Sequence, residues 1–177
     1  MQAFSGSLPV IVSVGMSIDS ANYRQVLGHF PTGVTVITGM DTEGQPSGLT
    51  IGSFTSVSLD PPLVGFLPAL TSRSWPAIQP SGAFCVNVLG HDQADLCWRF
   101  AKESEGRYAD LDWTPGPTGS PVLAGVAAWI DCTIEQVYEM GDHLFVLGRV
   151  QEMAHADEVA NAMVFFRGKV GGFGILG

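Results

Sequence analysis

The sequence predicts a single domain, mainly β with short helices, folded as a closed antiparallel β-barrel. Short runs rich in Val, Ile, Thr and Phe are separated by turn residues, since the 177-residue chain contains 22 Gly and 11 Pro, and this composition is typical of short strands. Strand patterns do not alternate strictly with helix patterns, as a parallel βαβ sheet requires. A closed antiparallel barrel therefore fits the order of the elements best.

The N-terminal half contains one helix pattern followed by four strand patterns. Apolar side chains recur at helical spacing in Ser17–Phe30, and Pro31 follows, which predicts an opening helix. The next runs alternate polar and apolar residues or are apolar throughout, which predicts strands. These four runs are Gly33–Thr38, Ser47–Ser53, Phe54–Leu59 and Leu63–Leu67. The turn signal Asp41–Gly44 joins the first two runs into a hairpin.

The rest of the chain contains two helix patterns and four further strand patterns. The helices are predicted at Ser74–Gln79 and Asp92–Ala101, with Asp92 as the N-cap of the second. Residues 102–121 are polar and rich in Gly and Pro, so we expect a loop. The strands are predicted at Ala83–Leu89, as two long strands within Val126–Met153 that meet at Gly141-Asp142, and at Phe165–Phe166.

The length of the chain predicts one folded domain, because two separate cores would each bury too little apolar surface. We expect a disordered or loosely docked extension at residues 1–16 and the domain at residues 17–177. The apolar stretch Leu8–Val14 is too short to span a membrane and lacks both a preceding basic segment and a small-residue cleavage site. Met16 is an alternative start of the chain.

Charge and cysteine usage restrict the expected partners. Eight Lys and Arg against seventeen Asp and Glu give a net charge of -9, which argues against nucleic acid and against an anionic membrane surface as partners. A charged fraction of only 14% favours self-association that hides surface. The three cysteines form no C-x-x-C pair and the four histidines are scattered, so we expect no metal site and a cytoplasmic protein.

Simple nucleotide motifs do not explain the chain. Gly172–Gly177 has the G-x-G-x-x-G spelling but ends the sequence, so no helix follows it to bind a pyrophosphate. The sequence also contains no G-x-x-x-x-G-K-[ST] loop and no G-x-S-x-G elbow.

Three features leave a functional and a structural interpretation open. The hydroxyl-rich segment Thr50–Ser58 has the groups to bind phosphate without a lysine cluster, or it is an amphipathic strand whose hydroxyls face water. Arg99 and Lys102 share a helix face that suits a terminal phosphate, or they pair with nearby glutamates. His143 either contacts an aromatic ligand or is simply exposed beside the hairpin turn.

In their order along the chain, six segments together resemble the flavin reductase family, whose members are the small reductase components of two-component flavin-dependent monooxygenases. The resemblance spans about residues 20–174, which is essentially the whole predicted domain. The segments are Pro31–Thr38, Gly48–Val64, Ser72–Trp75, Gly82–Leu89, Arg99–Ala101 and Gly141–Val150.

The resemblance implies a split β-barrel homodimer that binds FMN or FAD near the subunit interface and takes electrons from NADH or NADPH. It implies that Ser72, Ser74, Arg99 and Lys102 hold the phosphate end. His143 and Arg167 match positions near the nicotinamide. The residues that would contact the rest of the flavin are Thr32, Gly33, Val34, Thr35, Thr50, Ile51, Gly52, Ser53, Phe54, Thr55, Ser56 and Val57.

The implied activity is hydride transfer from the nicotinamide to flavin N5, after which reduced flavin passes to a separate monooxygenase. Val170 stands where the family commonly has an aromatic residue. This departure keeps open a second interpretation, a flavin-binding module of the same fold that does not turn over nicotinamide. A third interpretation is an interaction protein whose apolar strands serve dimerisation alone. The choices between FMN and FAD and between NADH and NADPH stay open.

Overall fold

The computed structural model describes residues 18–102, 106–157 and 161–173, so the predicted extension at residues 1–16 lies outside the described residues. No helix within these ranges is long and apolar enough to cross a membrane. In chain order the elements are α1 (Ser20–Leu27), β1 (Thr32–Gly33), β2 (Thr35–Met40), β3 (Pro46–Ile51), β4 (Thr55–Ser58), β5 (Leu63–Phe66), α2 (Ser74–Ile78), β6 (Ala83–Val88), α3 (Ala94–Ala101), β7 (Trp113–Pro115), β8 (Pro121–Leu123), β9 (Ala128–Met140), β10 (His143–His155), β11 (Met163–Phe166) and β12 (Lys169–Gly172).

The fold is mainly β with few short helices, as the sequence predicts. Seven strands form one sheet in the order β3-β2-β6-β9-β10-β5-β4, and two smaller sheets have the orders β1-β11-β12 and β7-β8. Every strand pair in the described ranges is antiparallel. The long hairpin β9–β10 lies in the middle of the large sheet and joins its two halves.

The closed barrel predicted from the sequence is wrong, because the ladder of the large sheet is open between its edge strands β3 and β4. Side chains occupy part of the β3 edge, where the carbonyls of Ser47 and Gly48 accept hydrogen bonds from the side chains of Tyr108 and Arg107. Only residues 52–54 link β3 to β4, and a link this short spans at most roughly 14 Å. The sheet therefore curls until its two edges are close. The two edges remain unpaired, and we call the gap between β3 and β4 the seam.

Two apolar clusters fill the space on the two faces of the central strands. Neighbouring residues of β2 point to opposite faces, so Ile37 belongs to one cluster and Val36 to the other. The first cluster collects side chains from β2, β3, β5, β6, β9 and β10 and includes the edge-to-face rings of Phe66, Trp75 and Phe84. Because both halves of the sheet contribute to it, this cluster stabilises the curl.

The helix and strand predictions are confirmed at most positions. Helix α1 is capped by Asp19, whose carboxylate accepts from the Asn22 backbone N–H at 2.7 Å, but it ends at Leu27 instead of Phe30. Asp92 is wrong as the cap of α3, since Gln93 occupies that position without a side-chain hydrogen bond. The hairpin turn at Gly141 is confirmed, with φ of +64° as a two-residue turn that begins with glycine requires.

Three short strands were not predicted. Strand β7 lies within the segment expected to be loop, β8 begins at the last residue of that segment, Pro121, and β12 lies in the glycine-rich tail. Each of these strands forms by pairing with a neighbouring strand. Lys169 of β12 pairs with Phe166 of β11, and Trp113 of β7 pairs with Leu123 of β8. A strand this short has little alternation of its own, so its pairing partner decides whether it forms.

Candidate functional site

A cleft of about 1080 Å³ opens beside the seam of the large sheet. Four segments meet there, namely α1 with the turn after it, β1, the β3–β4 link and the β11–β12 turn. The volume is at the upper end of the range for small-molecule sites, roughly 300–1,000 Å³. The lining residues are Tyr23, Arg24, Gln25, Leu27, Gly28, Phe30, Pro31, Thr32, Gly33, Gly52, Ser53, Phe54, Thr55, Phe165, Arg167 and Gly168.

Backbone hydrogen bonds hold the walls of the cleft together. Strand β1 pairs with β11 through Thr32 opposite Phe165. The Arg167 N–H donates to the Gly28 carbonyl at 3.0 Å, which attaches the β11–β12 turn to the end of α1. Ser53 attaches the β3–β4 link to the end of β5, because its hydroxyl accepts from the Leu67 N–H at 2.9 Å. Each wall therefore has a fixed position relative to the others.

The floor of the cleft contains a hydroxyl without a partner. Thr32 Oγ1 is buried and has no hydrogen bond within the described ranges. Gly52 lies against it, and a Cβ added to Gly52 would stand 3.0 Å from Thr32 Oγ1. Gly33 is open, with no atom within 4 Å of an added Cβ. A buried polar atom without a partner is unfavourable, and the two glycines leave room for a ligand that would supply one.

The upper walls are apolar and unusually exposed. Helix α1 buries none of its own side chains, and its exposed apolar residues in the cleft are Tyr23 at 54%, Leu27 at 51% and, just after the helix, Phe30 at 73%. Phe54 and Phe165 face them and also pack against the two core clusters. Apolar and aromatic walls above a few polar groups suit a planar ring system.

Arg167, which was predicted near the nicotinamide, lines this cleft together with six of the predicted flavin contacts: Thr32, Gly33, Gly52, Ser53, Phe54 and Thr55. The other predicted flavin contacts lie outside it. Val34 and Ile51 are core residues, whereas Ser56 and Val57 are exposed on the edge strand β4.

Two predicted threonines have structural hydrogen bonds. Thr35 Oγ1 donates to the Ile51 carbonyl at 3.1 Å, and Thr50 Oγ1 donates to the Cys97 carbonyl at 2.7 Å. The first bond ties β2 to β3, and the second ties β3 to α3. Both hydroxyls therefore support the strands that carry the seam.

The predicted phosphate end lies in a different region, which we call the α2–α3 flank and define as α2 with the loop before it, α3 and residues 106–111. Ser74 accepts from the Arg107 guanidinium at 2.9 Å, and Ser72 accepts from the Trp75 N–H at 3.3 Å. Arg99 donates to the Ala109 carbonyl at 3.1 Å. Lys102 is exposed at the end of α3. The structure does not bring these four predicted residues into the cleft.

His143 begins β10 next to the hairpin turn and does not line the cleft. Its Nδ1 donates to Asp142 Oδ1 at 2.7 Å, which lowers the pKa of the Asp142 carboxyl, and the positive charge of Arg24 also lowers this pKa. Arg24 itself lines the cleft. The hairpin tip and α1 therefore lie within electrostatic range of each other.

Sequence reasoning missed the contribution of α1 to the site. The helix pattern was recognised, but the residues Tyr23, Arg24 and Leu27 gave no signal of a ligand, since apolar residues at helical spacing usually mark a buried face. The distinguishing fact is that this face stays exposed. The described residues contain no group of three or more His, Cys, Asp or Glu that could hold a metal ion.

Comparison with known proteins gives consistent results. Residues 27–174 match the family model described as "Flavin reductase like domain". The chain is 49% identical to a flavin reductase of Pseudomonas putida, over 90% of this chain and 94% of that protein. It is 47% identical to the flavin-dependent monooxygenase reductase subunit HsaB of Rhodococcus jostii, over 88% of this chain and 79% of that protein.

A solved structure shows the same similarity in three dimensions. The NADH:FAD oxidoreductase SgcE6 of Streptomyces globisporus, solved in complex with NAD and FAD fragments, superposes with a TM-score of 0.82 at 36% sequence identity. The match covers 88% of this chain and 93% of that chain. The split antiparallel sheet and its short helices are thus an architecture that this enzyme shares.

Proposed function

We propose that this chain, which belongs to the flavin reductase-like domain family, is an NAD(P)H:flavin oxidoreductase that supplies reduced FMN or FAD to a separate monooxygenase. The observation that carries the proposal is the cleft floor, where the Thr32 hydroxyl lacks a partner beside the two glycines Gly33 and Gly52. A flavin ring edge carries the donors and acceptors that would satisfy this hydroxyl, and the aromatic walls suit the ring faces.

The residues that would hold the flavin are those that line the cleft at the seam. Thr32 would bind the ring edge, and Gly33 and Gly52 would admit the ring close to the backbone. Ser53, Phe54 and Thr55 would form the adjacent wall. The predicted residues behind this wall support it, because Thr35 and Thr50 fix β3 by hydrogen bonds while Val34 and Ile51 pack in the core.

A bound flavin supplies an N5 atom that accepts a hydride from C4 of the nicotinamide. The chain's own task is to orient two ring systems and to exclude water, for which apolar walls and fixed hydroxyls are sufficient. His143 would position the nicotinamide from the hairpin tip. The predicted site for the phosphate end remains on the α2–α3 flank, at Ser72, Ser74, Arg99 and Lys102. To bind a phosphate, Ser72, Ser74 and Arg99 would give up hydrogen bonds that they form within the protein.

A homodimer would complete this site. Apolar side chains of α1, of the turn after it and of the residue after β12 are exposed, including Val26 at 58%, Phe30 at 73% and Phe173 at 58%. Exposed apolar patches of this kind mark contact surfaces, and a second copy seated on α1 would cover them while closing the cleft. Size-exclusion chromatography with light scattering tests this, since a monomeric mass at micromolar concentration would contradict it.

The expected partner is the oxygenase component of a two-component system, as for the reductase subunit from Rhodococcus jostii. A cytoplasmic location fits the three cysteines, which are all free and buried.

The first test mixes the protein in air with each of the four pairings of NADH or NADPH with FMN or FAD. The loss of absorbance of the reduced nicotinamide is followed in each mixture. Rapid oxidation that requires both protein and flavin is the expected result, and the best pairing names both substrates. Flavin binding without oxidation would instead favour the non-catalytic module. That alternative rests on Val170, which packs against the second core cluster and offers no aromatic face to a nicotinamide.

A further inference from the structure

We propose that Arg24 and Arg167 form a pair of guanidinium groups in the cleft that binds a phosphate of one of the two nucleotides, a task that the resemblance assigns to the α2–α3 flank. The inference rests on the proposed function and names the residues that would recognise the charged part of its substrates. Both arginines line the cleft. Arg24 belongs to α1 and Arg167 to the β11–β12 turn.

The two guanidinium groups differ from those of Arg99, Arg107 and Arg149 in what they contact. Arg107 donates to a carbonyl and a hydroxyl, Arg99 donates to a carbonyl, and Arg149 forms a bidentate ion pair with Glu135. No side-chain hydrogen bond or ion pair of Arg24 or Arg167 occurs within the part of the chain that the structure describes. An arginine fork without a carboxylate partner is suited to bind phosphate bidentately.

The backbone fixes the two arginines relative to each other. The Gly28 N–H donates to the Arg24 carbonyl at 2.9 Å, and the Gly28 carbonyl accepts from the Arg167 N–H at 3.0 Å. Gly28 therefore connects the last turn of α1 directly to the β11–β12 turn. The backbone segments that carry the two arginines are therefore adjacent and hydrogen-bonded to each other.

The turn conformation of Arg167 is a second, independent observation. Phe166 pairs with Lys169, so Arg167 and Gly168 form a two-residue hairpin loop, with φ of +50° and +78°. This is the type I′ geometry, which favours Asn, Asp or Gly at its first position. A long β-carbon-bearing side chain at that position is strained. A long side chain at a turn position that disfavours it indicates a task for that side chain, and Arg167 lines the cleft.

The net negative charge of the chain also favours a role for the two arginines in binding phosphate. The net charge is -9, so an anionic nucleotide is repelled by most of the molecule and needs a local positive site. The carboxylate of Asp142 lies within electrostatic range of Arg24, since Arg24 contributes to the lowering of its pKa. His143 donates to that carboxylate, and the side chain of Arg24 makes no hydrogen bond to it within the described ranges.

The test compares ligands with and without phosphate on the full chain. Dissociation constants are measured by calorimetry for FMN and riboflavin, and for NAD⁺ and a phosphate-free N-benzyl nicotinamide, with wild type, Arg24→Met and Arg167→Met. We expect each variant to bind one phosphate-bearing ligand about tenfold more weakly and its phosphate-free counterpart equally well. Weakened FMN assigns the flavin phosphate, and weakened NAD⁺ assigns the dinucleotide.

Arg149→Met is the matched control, because it removes the same charge outside the cleft, and its ligand affinities should not change. Equal weakening of phosphate-free ligands, or no weakening at all, would overturn the proposal. Arg167→Asn adds a readout independent of activity. It should weaken the same ligand yet raise the melting temperature by roughly 2–4 °C, because Asn relieves the turn.

Failure of the arginine proposal can be distinguished from failure of the proposed reductase function. If wild type oxidises no nicotinamide with any flavin, the reductase proposal fails while the binding comparison still decides the role of the two arginines. If wild type is active and the variants bind every ligand as wild type does, only the arginine proposal fails. Added salt should weaken the phosphate-bearing ligand in wild type more than in the variants.

Discussion

The cleft and the α2–α3 flank contain the same kinds of side chain, hydroxyls and arginines, but they use them differently. On the flank, Arg107 donates to Ser74 and to the Gly48 carbonyl, so these groups satisfy one another. In the cleft, the Thr32 hydroxyl has no hydrogen-bond partner, and the guanidinium groups of Arg24 and Arg167 donate no hydrogen bond within the described ranges. Hydrogen-bonding capacity that the protein leaves unused, rather than residue type, distinguishes the candidate site from structural polar contacts.

The largest expected effect lies on the flank. Arg107→Met should lower the free energy of unfolding by about 3 kcal/mol, because two hydrogen bonds from a charged donor are lost. Affinity for riboflavin, which lacks the phosphate assigned to the flank, should stay near the wild-type value, since Arg107 does not line the cleft. Urea unfolding and a riboflavin titration below the melting temperature check both parts, and a large loss of riboflavin affinity would show that the two regions are not separate.

The next effect lies in the cleft. Gly52→Val should weaken flavin binding about tenfold, or roughly 1.4 kcal/mol, because the added Cβ would stand 3.0 Å from Thr32 Oγ1 in the space assigned to the ring. Flavin fluorescence titration measures the change. Gly171→Val is the control, since no atom lies within 4 Å of a Cβ added at this strand glycine. Comparable losses in both variants would argue against a specific site at Gly52.

Removing the hydroxyl of Thr32 or of Ser53 should give smaller effects, and the two variants should differ in the sign of the change in stability. Thr32→Val removes a hydroxyl without a partner, so it should leave stability unchanged or raise it by up to about 1 kcal/mol while weakening flavin binding. Ser53→Ala removes the acceptor of the Leu67 N–H and should destabilise the fold by about 1 kcal/mol. Thermal and urea unfolding compare the two, and a destabilised Thr32→Val variant would mean that its hydroxyl is used by the protein.

The smallest expected effect is on the pH dependence of stability, to which the exposed carboxylate of Asp142 and the buried carboxylate of Asp131 contribute with opposite sign. Hydrogen bonding to His143 lowers the pKa of Asp142, so its contribution to stability is present above the unfolded pKa and is lost as the pH falls through the folded value. Burial raises the pKa of Asp131, so its contribution is present below the unfolded pKa and is lost as the pH rises.

Asp142→Asn and Asp131→Asn should therefore change the stability–pH curve in opposite directions. The first should reduce the loss of stability on acidification, and the second should reduce the loss as the pH rises above about 4. The Thr118 N–H, which donates to Asp131 at 2.7 Å, keeps an acceptor in the second variant. Melting temperatures across this range check the signs, and parallel curves for all three proteins would contradict the assignment.

Much of the candidate site could be predicted because its residues lie in two short segments of the sequence. Thr32 and Gly33 form one segment, and Gly52 to Thr55 form the other. The family resemblance marks both. The α1 residues could not be predicted, because Tyr23 and Leu27 have the spacing of a core-facing helix and only the exposure of that face shows its use.

By itself, the sequence determined the strand and helix pattern, the long hairpin at Gly141 and the family. These follow from local periodicity, turn chemistry and motif order, which need no knowledge of distant contacts. Only the tertiary structure decided that the sheet stays open between β3 and β4, that Ser74 and Thr50 form hydrogen bonds within the protein, and that Arg24 and Arg167 line the same cleft. The physical reason is that whether a polar group keeps its hydrogen bonds free depends on partners far away in the chain.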